Sequence, residues 1–252
     1  MTIKEIKKEY KKEKKANKKM YIQNKRKIKS QYNTSLSELT CKNNVPYRSV
    51  LEEIGNAVTH GVGSILAIAA LVFMMIASTN IKEYIGGIIY FIGLFVLFTM
   101  SCLYHSFPYA SKVKRVFRRF DYLSIYLLIG ATFAPILLEY IGGLLGYIFF
   151  AIQWGIIIIG VTFVSIFGPS RLKIIHIIFY FILGWSGLIF LPQMIKNDFG
   201  FFFYILGGGI VYSLGIIPFA IDKKVSHFIW HFFVLVGAII QWIGIYIYIY
   251  LR

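Results

Sequence analysis

From about residue 55 onward the chain is built almost entirely of long apolar runs separated by short polar gaps, and this pattern leaves little choice of fold. The runs lie at about 55–77, 85–106, 120–138, 142–166, 173–192, 201–220 and 228–250. Each is near the ~20 residues that an α-helix needs to cross ~30 Å of hydrocarbon. Lipid offers no water to hydrogen-bond an open backbone, so segments of this kind cross as helices. The gaps carry turn and charge signals (Pro108, Pro169, the Asp222–Lys223–Lys224 cluster) and are short, so neighbouring spans should pack antiparallel. The expected fold is an all-α, seven-transmembrane-helix bundle. Pro135, Gly184, Gly187, Gly207 to Gly209 and Pro218 fall inside runs, where lipid-embedded helices tolerate bends and close contacts. Gly142 and Gly146 form a small-xxx-small pair, read as packing.

A chain that is 58% hydrophobic and yet carries a formal net charge of +16 must segregate its charge, which excludes an ordinary soluble domain. Of the 27 Lys and Arg, 15 precede Ile54. Residues 1–50 are a basic tail, lysine-rich as far as about Lys29. With so few apolar side chains that stretch cannot offset its chain entropy, so disorder or a transient helix is expected. The tail is either solvated or attracted to anionic lipid headgroups. Residues 51–252 form the membrane domain. Its expected partners are membrane lipids, and no nucleic acid is expected. No cleavable signal peptide is expected, because the first apolar run begins after a long polar stretch. Cys41 and Cys102 sit in unlike surroundings and read as free thiols. Counting basic residues in alternate gaps gives 24 on the N-terminal side against Lys82, Lys196 and Arg252 on the other. The positive-inside rule then predicts a multi-pass plasma-membrane protein with a cytoplasmic N-terminus and an extracytoplasmic C-terminus.

Ionisable groups inside spans are costly and call for a reason. His105 falls in the last turn of the second run, and His227 and His231 in the first turns of the seventh. Asp121 opens the third run, and Glu53, Asn56 and His60 open the first. With alternating span directions, all of these lie at one depth, near the cytoplasmic leaflet. His227 and His231 are spaced i,i+4 and share a helix face, as do Ser101 and His105. Three imidazoles and a water are the ligand set of an open, catalytic zinc site. Asp121 then suits a general base or water-holding group, and Ser101 an orienting hydroxyl. Plainer roles exist for each: Asp121 favouring a helix N-terminus and pairing with Arg118, Ser226 capping the seventh helix ahead of an interfacial His227, and His105 snorkelling. Glu53, Asn56 and His60 suit either a second shell or interfacial capping. His176 has no partner of matching spacing and reads as structural. Tyr246, Tyr248 and Tyr250 read as an aromatic belt.

Four motifs then occur in order: Glu53-x-x-Asn56-x-x-Thr59-His60-Gly61, Ser101-x-x-Tyr104-His105, Arg119-Phe120-Asp121, and His227-x-x-Trp230-His231 with Val234 and Gly237. Together they resemble the haemolysin III family, the bacterial branch of the progestin and adiponectin receptor superfamily. The resemblance runs from about Val50 to the end and leaves out the basic tail. It implies seven spans, zinc held by His105, His227 and His231, and Asp121 and Ser101 beside the metal water. It departs at Tyr122 and Gln241, where the family often has histidine, and at Gly130-Ala131-Thr132-Phe133-Ala134-Pro135, a degraded signature.

Three functions follow as expectations. The first is a zinc-dependent hydrolase of a lipid amide or ester, similar to the alkaline ceramidases of the wider clan. The second is a pore-forming cytolysin, as the family's haemolysin label suggests, although a pore needs polar residues along whole spans. The third is a receptor-like regulator of membrane lipid composition in which zinc only braces the bundle.

Overall fold

The computed structural model describes residues 2–43, 45–221 and 223–252, without the side chains of residues 36–43. The thiol of Cys41 and the turn residue Asp222 lie outside the described residues, and Cys102 is a free thiol. The described residues contain helices and no strand.

Residues 1–47 form one unit and residues 48–252 a second. In the first unit the lysine-rich tail takes the helical one of its two expected forms, as α1 (Ile3–Asn43). Its Lys, Glu and Ala content favours a helix locally. The described side chains from Thr2 to Ser35 are all exposed, so the expectation that this segment builds no core holds.

The second unit holds seven helical segments long and apolar enough to span a membrane, and the chain is a multi-pass membrane protein. They are α2 (Val50–Ala77), α3 (Ile81–Ser106), α4 (Lys112–Pro135), α5 (Gly143–Phe167), α6 (Lys173–Trp185) continued by α7 (Leu191–Asn197), α8 (Phe199–Ile221) and α9 (Ser226–Ile245). Several begin earlier than the apolar runs that mark them. The reason lies in capping: Ser49, Asn80 and Ser111 each accept hydrogen bonds from the backbone of the following turn. A cap starts a helix at the hydrogen-bonding boundary, several residues outside the apolar stretch. Asp121 therefore stands in the third turn of α4, not its first.

Pro135 and Gly142 together end the third span. Proline lacks an N–H, and the chain after it widens into a π-helical turn over Ile136–Ile141. Gly142 then takes φ +61°, a left-handed conformation that glycine adopts without steric cost, and its N–H bonds Leu137 O. Tyr250 does not join a lipid-facing belt. It is buried, and its hydroxyl donates to Glu83 O at 2.9 Å, tying the end of the last span to the start of α3.

The apolar core joins α2, α3, α4, α8 and α9 through residues such as Met74, Tyr90, Phe98, Leu137, Phe201 and Ile245. A smaller cluster around Tyr126, Ile157, Val164 and Leu183 joins α4 to α5 and α6. Outward-facing side chains are equally apolar, for example Ile65, Ile76, Ile158, Ile174 and Ile217. A surface of that kind fits lipid and not water. Alternating directions bring the starts of α2, α4, α6 and α9 and the ends of α3, α5 and α8 to one end of the bundle.

The α3–α4 seam depends on Gly93, where an added Cβ would lie 2.3 Å from Ala131 Cβ and 3.2 Å from Leu127 O. Gly93→Val should destabilise the bundle by about 1–3 kcal/mol, the usual cost of overpacking. Thermal unfolding in detergent checks this, with Gly155→Ala, which meets nothing within 4 Å, expected to be neutral.

Candidate metal centre

His105 is carried by the last turn of α3 and is buried against the first turns of α2. Its Nδ1 contacts the Glu53 carboxylate, and the Asn56 amide lies 3.3 Å from the same nitrogen. An ionised carboxylate only accepts, so the closer contact places the His105 proton on Nδ1. Nε2 is left with a lone pair facing into the bundle. There it meets His227 Nε2 at 3.4 Å. His231, one turn further along α9, completes the group, and one nitrogen from each of the three lies within 4.8 Å of the others.

This arrangement fits a metal. Two nitrogens on one tetrahedral zinc stand about 3.4 Å apart, as follows from Zn–N bonds of about 2.0–2.1 Å. The His105–His227 pair already has that separation. The third ring needs only a small approach. All three rings are buried, and His231 Nδ1 has no hydrogen-bond partner among the described residues. Bare imidazole nitrogens facing one another in an apolar interior are costly without a shared partner. The residues therefore suit a metal ion; its identity is a separate question.

His60 is not a ligand in this geometry. Its ring stacks on His231 with centroids 3.8 Å apart and 26° between planes, and the edge of Phe98 closes the other side at 5.1 Å. It thus holds the His231 ring in place. Ser226 does not cap α9. That position belongs to Val225 in a left-handed conformation, while the Ser226 hydroxyl donates to Lys223 O at 2.7 Å. Arg118 donates to Ser170 and lies over the Tyr122 ring at 5.6 Å.

His227 and His231, with His60 beside them, line a cavity of about 140 Å³ walled by α2, α3, α4, α6, α8 and α9. Its polar end holds Ser101, Asp121, His60, His227 and His231. The remainder is chiefly apolar, with Leu97, Ile125, Leu128, Phe133, Trp185 and Val234 among its walls. Ser101 is buried and lines this cavity together with Asp121. Tyr122 and Gln241, the two departures from the resembled pattern, both line this cavity and so alter its walls, not the histidine set.

The sequence reading missed Thr132, Tyr180 and Tyr212 in the cavity wall. Thr132 lies inside the signature quoted above, whereas Tyr180 and Tyr212 carry no local signal. His176, expected to stand apart, does so: its Nδ1 pairs with Tyr126 Oη at 2.9 Å between α4 and α6, and it does not line the cavity.

A seven-helix membrane protein with three buried histidines gathered from its second and seventh spans is the class that fold and site define. The chain belongs to the Haemolysin-III related family, which it matches over residues 48–242. This family is part of the progestin and adiponectin receptor superfamily. Hemolysin-3 of Bacillus cereus is 36% identical over 205 residues, covering 79% of this chain and 93% of that protein. Hemolysin-3 homolog of Bacillus subtilis (strain 168) is 36% identical over 196 residues, covering 75% and 91%. The human Monocyte to macrophage differentiation factor is 28% identical over 206 residues, covering 79% and 85%. The α1 helix lies outside the family match.

If the Tyr126–His176 pair is structural, Tyr126→Phe leaves a buried imidazole nitrogen unpaired and costs about 1–3 kcal/mol. Thermal unfolding should show that loss, while the metal content of the purified protein stays at the wild-type level.

Proposed function

We propose that this protein is a zinc-dependent hydrolase that cleaves an amide or ester bond of a membrane lipid near the cytoplasmic leaflet. One observation carries the reading: His227 and His231, two of the three buried imidazoles that lie together, line one cavity with Asp121 and Ser101, and the rest of that cavity is chiefly apolar. His105, His227 and His231 would hold the ion, with Glu53 and Asn56 behind His105 and His60 behind His231. When bound there, zinc supplies Lewis acidity and lowers the pKa of a water to about 7.

The chain's own groups do the rest. Asp121 accepts the proton of the attacking water and returns it to the leaving nitrogen or oxygen. The Ser101 hydroxyl donates to the scissile carbonyl oxygen and orients it. The new bond joins the water oxygen to the carbonyl carbon, the bond to the leaving atom breaks, and an acid and an amine or alcohol depart. Leu97, Ile125, Leu128 and Phe133 accept the acyl chain and keep bulk water from the reacting carbon.

The asymmetry of basic residues supports a cytoplasmic N-terminus, with the metal end of the bundle on that same side. Anionic headgroups are the partner of α1. Ile3, Ile6, Tyr10, Tyr21, Ile28 and Tyr32 recur at helical spacing along it, and most of its lysines project elsewhere. A spin label on α1 should lose mobility in vesicles containing anionic lipid and regain it at high salt. Equal mobility in neutral vesicles would remove this partner.

Purified without chelator, the protein should contain one equivalent of zinc by elemental analysis; metal-free protein would end the hydrolase reading. Asp121→Ala should lower turnover of the lipid substrate, found by comparing lipids from cells with and without the protein, by about 10²–10⁴-fold. Zinc content and melting temperature should stay unchanged. The relatives' name favours a second reading, a cytolysin. Conductance in planar bilayers that survives His231→Ala would decide for it.

A further inference from the structure

We infer that Lys114 is a positioning residue for the metal-binding histidine His105, acting through Glu53. The inference rests on the metal reading above. Lys114 sits in the first turn of α4, among basic residues that the positive-inside count treats as one surface set. Its neighbours Lys112, Val113, Arg115 and Val116 are exposed, but Lys114 is 1% exposed. An ammonium taken from water needs compensation at close range. Here it has three acceptors for its three N–H bonds: Glu53 Oε1 at 3.0 Å, Tyr104 O at 3.1 Å and Phe107 O at 3.0 Å. The Tyr104 ring lies 4.9 Å from the same nitrogen.

The identity of these acceptors gives the lysine its role. The other oxygen of Glu53 is the one that meets His105 Nδ1. Tyr104 and Phe107 flank His105 in sequence, and their carbonyls belong to the end of α3, where intrahelical donors have run out. Lys114 therefore fixes both ends of one hydrogen bond. It supplies the countercharge that keeps the Glu53 carboxylate in place, and it anchors the turn that bears the imidazole. With both held, the His105 proton stays on Nδ1 and the lone pair of Nε2 points toward His227 and His231. Without the lysine, the carboxylate loses the countercharge that stands 3.0 Å from its Oε1, and the helix end loses the donor shared by two of its carbonyls.

A capping lysine with no bearing on the metal would give the same burial, so the test is a double-mutant cycle on zinc affinity. The full-length protein is titrated with zinc against a competing chelator as wild type, Lys114→Met, Glu53→Gln and the double variant. Each single change should weaken zinc by about 10–100-fold, the usual effect of losing a group behind a ligand. The double variant should be no weaker than the weaker single, because both act on one bond. At saturating cobalt, the visible ligand-field bands of Lys114→Met should shift, while those of Tyr126→Phe match wild type.

Wild-type affinity in Lys114→Met, or losses that multiply in the double variant, overturns the inference and leaves the metal reading intact. A wild-type protein that binds no zinc removes both. Should Lys114→Met fail to fold, Lys114→Gln keeps amide donors for the α3 carbonyls but no charge for Glu53. Weaker zinc binding at an unchanged melting temperature supports the inference there, and wild-type binding overturns it.

Discussion

A bilayer interior contains almost no water, so a polar side chain placed there must find its partner within the protein. That constraint governs the metal end of the bundle. Glu53, Asn56 and His60 on α2, Ser101 and His105 on α3, Lys114 and Asp121 on α4, and His227 and His231 on α9 are drawn together at that end. Each alone would be a liability in a hydrophobic helix. Gathered, Glu53, His105 and Lys114 satisfy one another, while the nitrogens of His105, His227 and His231 that face inward have the geometry of a metal site. The same logic explains why His176 plays no part: one tyrosine hydroxyl engages its Nδ1 elsewhere in the bundle.

Much of this was legible from the chain. Seven spans follow from apolar run length alone, since lipid removes every alternative to a helix. That His105 could meet His227 and His231 was legible from alternating span direction, which sets depth, and i,i+4 spacing, which sets face; that the second and seventh spans bring them together is seen only in the fold. Helix starts were less legible, because Ser49, Asn80 and Ser111 set them through side-chain hydrogen bonds that hydropathy does not register.

What stayed hidden depends on packing between spans. Nothing local distinguishes Lys114 from Lys112 or Arg115, yet only the first of these turns inward; rotation of α4 against α2 and α3 decides it. Tyr250 was misread for a similar reason. A tyrosine at a span end suits an interfacial belt, but the π-helical turn at Tyr246–Tyr250 changes the register and carries its hydroxyl to Glu83 O. Tyr180 and Tyr212 reach the cavity from α6 and α8 at positions with no distinguishing pattern. The role of Gly93 is likewise invisible until Ala131 is placed opposite it.

The helical form of the basic tail changes how its charge acts at a distance. As a coil the lysines would blur into one cloud of shifting radius. As α1, 41 residues rising about 1.5 Å each, they are strung along a rod about 60 Å long. That length is several times the ~8 Å over which physiological salt lets charges sense each other. Charges at the two ends of the rod are therefore screened from one another, while those on neighbouring turns, about 5.4 Å apart, still act together.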